Sequence, residues 1–568
     1  MAEKNIVIVG AGFSGVFATK TLAKKLKPAS GYNIILIDKH SYFTYQTELH
    51  EVAAARVEPK HVQEDLRVLF NHDKNVKLLT ANVLDIDKEN NVVKTDVAGD
   101  INFEHLIISV GGDSNDFGTP GVKEHGFELW SMEQALKIRA HIEDVVARGA
   151  AELDPAKRQA LLTIGVVGSG FTGTELVGEF IEWRKVLAKQ HKLDESEIKI
   201  IMFEAVPTIL NMLEKRDLAD KAYKYMTENG VDIQTGAMVS GVHEDYIEFK
   251  DGSTQPMNTL IWTAGVKGKD VVAPWGFEMA ARGGRIVTND FMQAMKNETE
   301  AYDNIYVSGD INHYVSEKFG VGPAHAIPQT VEGGENAAKV AALNIVSSIK
   351  GGAQTKFDDV AKFHGYAVSV GSWYTVTDSQ VPVINLPIVA SGFFASLVKH
   401  GINLYFYLQI QSLYSIFHYL TDEFFHTADG RNPFKGAVSR LGNTLWALPL
   451  RLFLGFFWIS AATGGWADTT FHSLFAVNGF LSIVVGAALI LGVFTFPAAL
   501  LSIVLALVAG FTNGWDASQW LVIFSSFALL NGAGRNFGLD FWIVPALQKA
   551  LGTAWYGQQK SIYNDLNK

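Results

Sequence analysis

The residues best suited to chemistry lie between Ile164 and Glu175, which reads IGVVGSGFTGTE. An apolar run enters Gly168, Ser169, Gly170, Phe171, Thr172 and Gly173, and an acid, Glu175, follows at once. Glycines spaced G-x-G-x-x-G make a tight turn, let a pyrophosphate approach the backbone, and let the next helix pack on the strand. A carboxylate at the start of that helix sits where a redox step could use it, although the helix dipole alone also favours an acid there. The same pattern occurs almost at the start of the chain in IVIVGAGFSG (6–15), with Gly10, Gly12, Phe13, Ser14 and Gly15. One such loop is a weak signal. Two, each running strand–turn–helix, imply two dinucleotides held face to face, one a flavin and one a nicotinamide.

Acids at strand ends sharpen this reading. NIILID (33–38) ends in Asp38, with Lys39 beside it, where an adenosine ribose hydroxyl is expected. KIIMFE (199–204) ends in Glu204, which pairs with a free 2′-hydroxyl and repels a 2′-phosphate, so NADH is favoured over NADPH. NIYVSGD (304–310) ends in Gly309 and Asp310, suited to a flavin's ribityl–phosphate arm. Gly111 opens the glycine-rich crossing GGDSNDFGTPG (111–121), and Gly265 lies in the loop of LIWTAGVKG (260–268). Tyr45, Gln46 and Glu48 in FTYQTELHEVAAA (43–55) are candidates to face the flavin ring, or else belong to a partly buried helix start. A helix over 324–349 carries Pro328, Gln329 and Glu332 at its N-terminal end, and its first turn is expected beneath the isoalloxazine.

Positioning these groups needs a doubly built α/β scaffold. The expected fold has two Rossmann-like dinucleotide-binding domains: an FAD domain from 1–120 and 301–390, and an NAD domain at 121–300. Within the latter, 161–167 is the central strand and 174–191 its helix, and the DG at 251–252 marks a hairpin turn. The chain has 568 residues and a net charge of -11, which argues against a nucleic-acid surface. It has no cysteine, so disulfide exchange, thiolate-held zinc and iron–sulfur clusters are excluded. Reductases of disulfides or of sulfide, which need a cysteine pair, are disfavoured for the same reason.

The C-terminal part changes character. FFASLVKHGINLYFYLQIQSLYSIFHYL (393–420) has polar residues His400, Asn403, Gln411, Ser415 and His418 at helical spacing, so 391–425 reads as one amphipathic helix in a membrane interface. His418 has no second ligand spaced for a metal, and no metal site is expected. Four apolar stretches follow, at 444–463, 471–493, 495–512 and 518–534, within a four-helix transmembrane domain at 437–552. Arg431, Lys435 and Arg440 precede the first and Arg535 follows the last, while Asp468 and Asp516 lie in the short loops. Both ends are therefore expected in the cytoplasm, with the flavin domain. Arg451 is expected to snorkel to headgroups or to neutralise a quinone oxygen. No chain of buried carboxylates runs through the spans, so proton pumping is not indicated.

GAGFSG (10–15), GGDSNDFGTPG (111–121), LWSMEQALKIRAHI (129–142), GSGFTGTELVGE (168–179), WTAGV (262–266) and VSGD (307–310) resemble, in order, the type II NADH dehydrogenases. These are single-subunit, non-pumping NADH:quinone oxidoreductases. The resemblance covers roughly 4–425. It implies FAD on the first loop, NADH on the second, hydride transfer to the flavin, and two-electron reduction of a quinone; a menaquinone type is the expected acceptor. It matches Glu175 to the acid beside nicotinamide and flavin, and Asp38 and Asp310 to FAD contacts. Gln329 and Glu332 fall where that family's quinone-side helix has paired glutamines, and PQTVE departs from that pattern. GAGRNFGLD (532–540) and PLRLFLG (449–455) resemble the DoxX-like membrane domain family. The implied partners are NADH, quinone and membrane lipid, with no nucleic acid and a homodimer as the assembly to look for. The rival readings are an NADH-dependent flavin reductase serving ferredoxin or an extracellular-electron carrier, and a non-enzymatic membrane sensor of FAD and NADH.

Overall fold

Two parallel sheets carry the two glycine loops. In the computed structural model the described residues are 4–27, 31–322, 325–371, 373–382, 385–425, 427–433, 446–464, 468–515, 517–530, 533–535, 537–544 and 546–547. The chain divides into two units, Met1–Ser439 and Arg440–Lys568.

In the first unit one sheet has six strands in the order Gln293–Met295, Ala301–Val307, His105–Ile108, Lys4–Val9, Tyr32–Asp38 and Val76–Thr80. All pairs are parallel except the edge pair, in which Gln293 faces Tyr306 in an antiparallel ladder. Ile6, Ile8, Ile34, Ile107 and Val307 are fully buried, as parallel strands covered on both faces require. The second sheet has five parallel strands in the order Phe127–Glu128, Thr259–Trp262, Thr163–Val167, Lys199–Glu204 and Val231–Thr235. Each glycine loop leaves the carboxyl end of a strand with neighbours on both sides, the crevice where open α/β sheets bind ligands. The DG turn joins the antiparallel strands Tyr246–Phe249 and Thr254–Pro256, with Gly252 at φ +84°.

The helix expected from 324 begins later, at Val331, and runs to Lys350. Pro328 has no backbone N–H to give, and the Thr330 side chain caps the helix by accepting from Gly333 N. Gln329 therefore precedes the helix and Glu332 stands in its first turn.

A three-stranded antiparallel sheet follows, Gly365–Ser369, Thr375–Val381 and Leu386–Gly392. The single amphipathic helix expected over 391–425 is two helices, Phe393–Gln409 and Leu413–Phe425, broken where Gln411 takes φ +59°. Most of their polar side does not face water, although Gln411 is exposed and His418 partly so. His400, Asn403 and Ser415 are buried, while Phe394, Leu413 and Phe417 are 76, 75 and 76% exposed.

Among its described residues the second unit holds the long helices Ala447–Ala462, Asp468–Leu491, Thr495–Asn513 and Ala517–Leu529, each packed on the next and the first also on the last. Among the described residues Thr495–Thr512 is the one stretch long and apolar enough to cross a membrane by itself; Ala447–Ala462, Gly479–Leu491 and Ala517–Leu529 are apolar but shorter. Trp458 Nε1 donates to Ser502 Oγ, which lies 2.8 Å from Ser526 Oγ. Arg451 corrects the expectation that it snorkels or meets a quinone. It is fully buried and donates to the carbonyls of Ala533 (2.9 Å) and Phe537 (3.1 Å). Asp540 accepts from Phe494 N and Thr495 N nearby, so this pair of charges fastens the segment after the last helix. Lys435, Arg440 and Asp516 lie outside the described residues.

Candidate active site

In each glycine loop the first and last glycines leave no room for a Cβ, while the middle one faces open space. A Cβ on Gly15 would lie 1.8 Å from Gly10 O, and one on Gly173 would lie 2.0 Å from Gly168 O. Gly10 and Gly168 take φ +101° and +99°, which glycine adopts at no steric cost. At Gly12 and Gly170 nothing lies within 4 Å, leaving open space over the N-termini of Phe13–Lys25 and Phe171–His191. Open space over a helix N-terminus suits a pyrophosphate.

Around the first loop, Asp38 accepts from Ala11 N (2.6 Å) and His40 N (2.8 Å), while Lys39 beside it is exposed. Ser14 Oγ donates to Gly334 O, tying the loop to the helix Val331–Lys350. Gly309 (φ +80°) faces Ser14, and Asp310 follows it. Burial pushes Asp310 up to about 6, against the pull of Arg285. Phe13 packs edge-on to Phe43, Tyr45 and Phe406. Gly111 takes φ +78° in an open turn. Gln46 is exposed and donates to Trp130 O, and Gln329 Nε2 donates to Asp310 O. Glu332 accepts from His364 N, and its Oε1 lies 2.7 Å from His364 Nδ1.

Around the second loop, Glu204 accepts from Ser169 N (2.9 Å) and Val206 N (3.1 Å). Beside it a cleft of about 560 Å³ is lined by Ala205, Gln234, Gly236, Met238 and Phe249, room for an adenine ring. A Cβ on Gly265 would strike the Phe117 ring. Phe171 and Thr172 begin the helix, half-buried and exposed.

Glu175 leaves the second loop's helix on its buried side. Its Oε1 accepts from Ser369 N (3.3 Å) and Ser369 Oγ (3.2 Å), and Lys399 Nζ lies 3.6 Å away. Gly178 lets this helix abut the strand bearing Ser369, since a Cβ there would lie 2.3 Å from Gly371 N. Lys399 also donates to Glu48 Oε2 (3.0 Å), and Asn403 donates to Glu48 Oε1 (2.7 Å). One turn beyond Glu175, Glu179 is fully buried, 3.5 Å from Arg56 and 3.8 Å from Arg431. Arg56 donates to Glu51 and Glu423.

Five buried carboxyls, Glu48, Glu51, Glu175, Glu179 and Glu423, thus meet three buried cations, Arg56, Lys399 and Arg431. Charge balance inside a low-dielectric core then keeps some of those carboxyls protonated. Burial pushes Glu175 up to about 7, outweighing the pull of Lys399. Burial also raises Glu51 and Glu423, against Arg56. Glu48 goes the other way: burial raises it, but Lys399 and the other donors hold it down at about 2. Burial and Lys399 push His50 down to about 3, so it is neutral. Glu48, His50 and Glu51 bring ligand-type atoms within 4.8 Å of one another, but Lys399 and Arg56 already match those carboxylates.

Glu48 was a sequence candidate, and Lys399, Ser369, Arg56, Glu51 and Glu423 were not. Glu179 could have been found, because four residues after Glu175 it must share that helix face. Burial also pushes Glu335, beside Gly334, up to about 8.

Residues 4–338 match the family model described as pyridine nucleotide-disulphide oxidoreductase. The chain belongs to that family. It is an FAD-dependent NADH oxidoreductase, and without cysteine it cannot run the disulphide chemistry in the family's name. Over 373 residues it is 29% identical to proteins named type II NADH:quinone oxidoreductase from Staphylococcus saprophyticus and Staphylococcus aureus, covering 65% of this chain and 88% of each relative. Among solved structures the fold is similar to NDH2 from Plasmodium falciparum in complex with NADH (TM-score 0.63, 17% identity, 76% of this chain and 99% of that one). It is also similar to the sulfide:quinone oxidoreductase of Aquifex aeolicus (TM-score 0.56, 19% identity, 74% and 95%).

Proposed function

We propose that this protein is a membrane-bound, non-proton-pumping NADH:quinone oxidoreductase. Bound FAD would supply the two-electron chemistry that links NADH to a quinone, here of the menaquinone type. The observation that carries the reading is Glu175: a carboxyl poised near 7 at the nicotinamide loop, joined through Lys399 to a helix pair whose outer face is apolar. The names of the staphylococcal relatives support a quinone as the acceptor.

In this reading Gly10, Gly12, Phe13, Ser14, Gly15, Asp38, Lys39, Gly111, Gly309 and Asp310 hold FAD. Gly168, Gly170, Phe171, Thr172, Gly173, Glu204 and Gly265 hold NADH. Glu175 orients the nicotinamide and holds or releases a proton at Oε2, while Ser369 and Lys399 fix Oε1. Gln46, Gln329 and Glu332 lie on the quinone side, where Glu332 is fixed by His364. Phe394, Leu413 and Phe417 dock in lipid, and the four C-terminal helices span it with both ends cytoplasmic, as a DoxX-like domain. Anaerobic NADH should bleach the flavin of the purified protein in vesicles, and menaquinone should restore its colour. Bleaching without recovery by any quinone would leave a reductase for another acceptor, and no bleaching would leave a sensor.

A further inference from the structure

Reducing a quinone with NADH consumes one proton from solvent: NADH, a quinone and a proton give NAD⁺ and a quinol. The two electrons and one hydrogen come from NADH, and the remaining proton must reach a site whose acids are all buried. Glu48 ends the chain of contacts that starts at Glu175 and Lys399. Beyond it lies a small cavity of about 10 Å³, the size of one water, lined by Tyr45, Glu48, Glu51, His61, Asp422 and Glu423. On its far side Asp422 Oδ2 lies 3.2 Å from His61 Nε2 and 3.1 Å from His418 Nε2. His418 reaches solvent, with 23% of its side chain exposed, on the helix Leu413–Phe425.

We propose that His418 and Asp422 are the inlet of a proton relay that runs through the cavity to Glu48, Lys399 and Glu175. The proton leaves His418 Nε2 for an Asp422 carboxylate oxygen, crosses the cavity on water, and is taken up by Glu48. Lys399, touching both Glu48 and Glu175, passes one proton on as it takes one back, and bulk solvent reprotonates His418. No oxidant or reductant is needed beyond NADH and the quinone. The groups around the inlet are Lys60 and His61 on the short helix Pro59–His61, Glu64 on the strand Gln63–Asp65, and Tyr414 and Asp422 on the inlet's own helix. Burial lowers His418, but Glu64 and Asp422 outweigh it and raise it above the usual histidine range. Most of the polar side of this helix thus has a use on the inside, and His418 is the part of it that meets solvent.

The inference rests on the quinone reading, and two measurements separate them. The first uses resting protein without NADH: after transfer to deuterium oxide, infrared spectra follow deuteration of the buried carboxyls. Asp422→Asn and His418→Ala should each slow it roughly tenfold. The second takes the ratio of p-benzoquinone to ferricyanide turnover, because ferricyanide accepts electrons and no proton. Both variants should lower that ratio by roughly tenfold, more so at alkaline pH, and added imidazole should restore it in His418→Ala. Unchanged deuteration together with an unchanged ratio overturns the relay. A wild-type protein that reduces p-benzoquinone but no membrane quinone overturns the functional reading and leaves the relay standing.

Discussion

Lys399 places its ammonium 3.6 Å from Glu175 Oε1, across 224 positions of sequence (399 − 175), and so joins a C-terminal helix to the nicotinamide loop. This contact sets the acidity of the site. Burial alone would push Glu175 higher than about 7 and would leave Glu48 protonated, whereas the shared cation holds Glu48 at about 2.

Glu175→Gln should keep both cofactors and slow NADH oxidation by about 100-fold or more if the acid takes part in proton handling. Wild-type flavin reduction, followed by stopped flow, should change with pH around 7, because Glu175 is protonated below that point and ionised above it. The inflection should be absent from the variant. An unaltered pH profile in Glu175→Gln would remove Glu175 from the site.

Lys399→Met strips the cation from two buried carboxyls and should destabilise the first unit by about 3–5 kcal/mol. Adding Glu48→Gln should recover part of that loss, since the second change removes the stranded charge. Thermal melts of both variants test the coupling. The pH dependence has a fixed sign. Glu48 is held below its ordinary value of 4.5, so its contribution is fully present above 4.5 and is lost as pH falls toward about 2. The double variant should lose this acid limb.

Glu204→Gln should relax the preference for NADH over NADPH. Removing the carboxylate charge lifts the repulsion of a 2′-phosphate, worth about 1–3 kcal/mol, or roughly 5–150-fold in the ratio of kcat/KM values. Ser169 N meets Glu204 Oε2 and Val206 N meets Oε1, so the single amide oxygen of the glutamine keeps one of these two bonds. Equal NADH to NADPH ratios in both proteins would show that discrimination resides elsewhere.

Arg451→Met removes two bonds from a charged donor to the carbonyls of Ala533 and Phe537, each worth about 1.5–3 kcal/mol. The segment around 533–540 should become sensitive to protease while NADH-to-ferricyanide turnover by the first unit persists. Protease resistance equal to wild type would rule out the clamp.

Local pattern made much of this legible. The glycine loops, the strand-end acids Asp38, Glu204 and Asp310, and the parallel strands follow from short runs of sequence, because a tight turn and a buried strand state their needs within ten residues. Glu175 was legible for the same reason. Its partners were not: Ser369 and Lys399 are ordinary residues until the chain folds back, and no local spacing links them to a distant glutamate. The helix pair was misread for a different reason. Periodicity reports that one face is polar, but not whether water or a buried acid is what that face meets. His400 and Asn403 gave the right period, and Tyr419 and Glu48 supplied the partners. Arg451 was misjudged alike, since a cation near a helix end looks the same whether headgroups or backbone carbonyls receive it.

The helices Phe393–Gln409 and Leu413–Phe425 turn their greasy side outward and their hydrogen-bonding side toward Glu48 and Arg56. One latch therefore does two jobs: the same two helices carry an apolar outer wall and seat Lys399 from within, so a change that shifts the wall also shifts the cation.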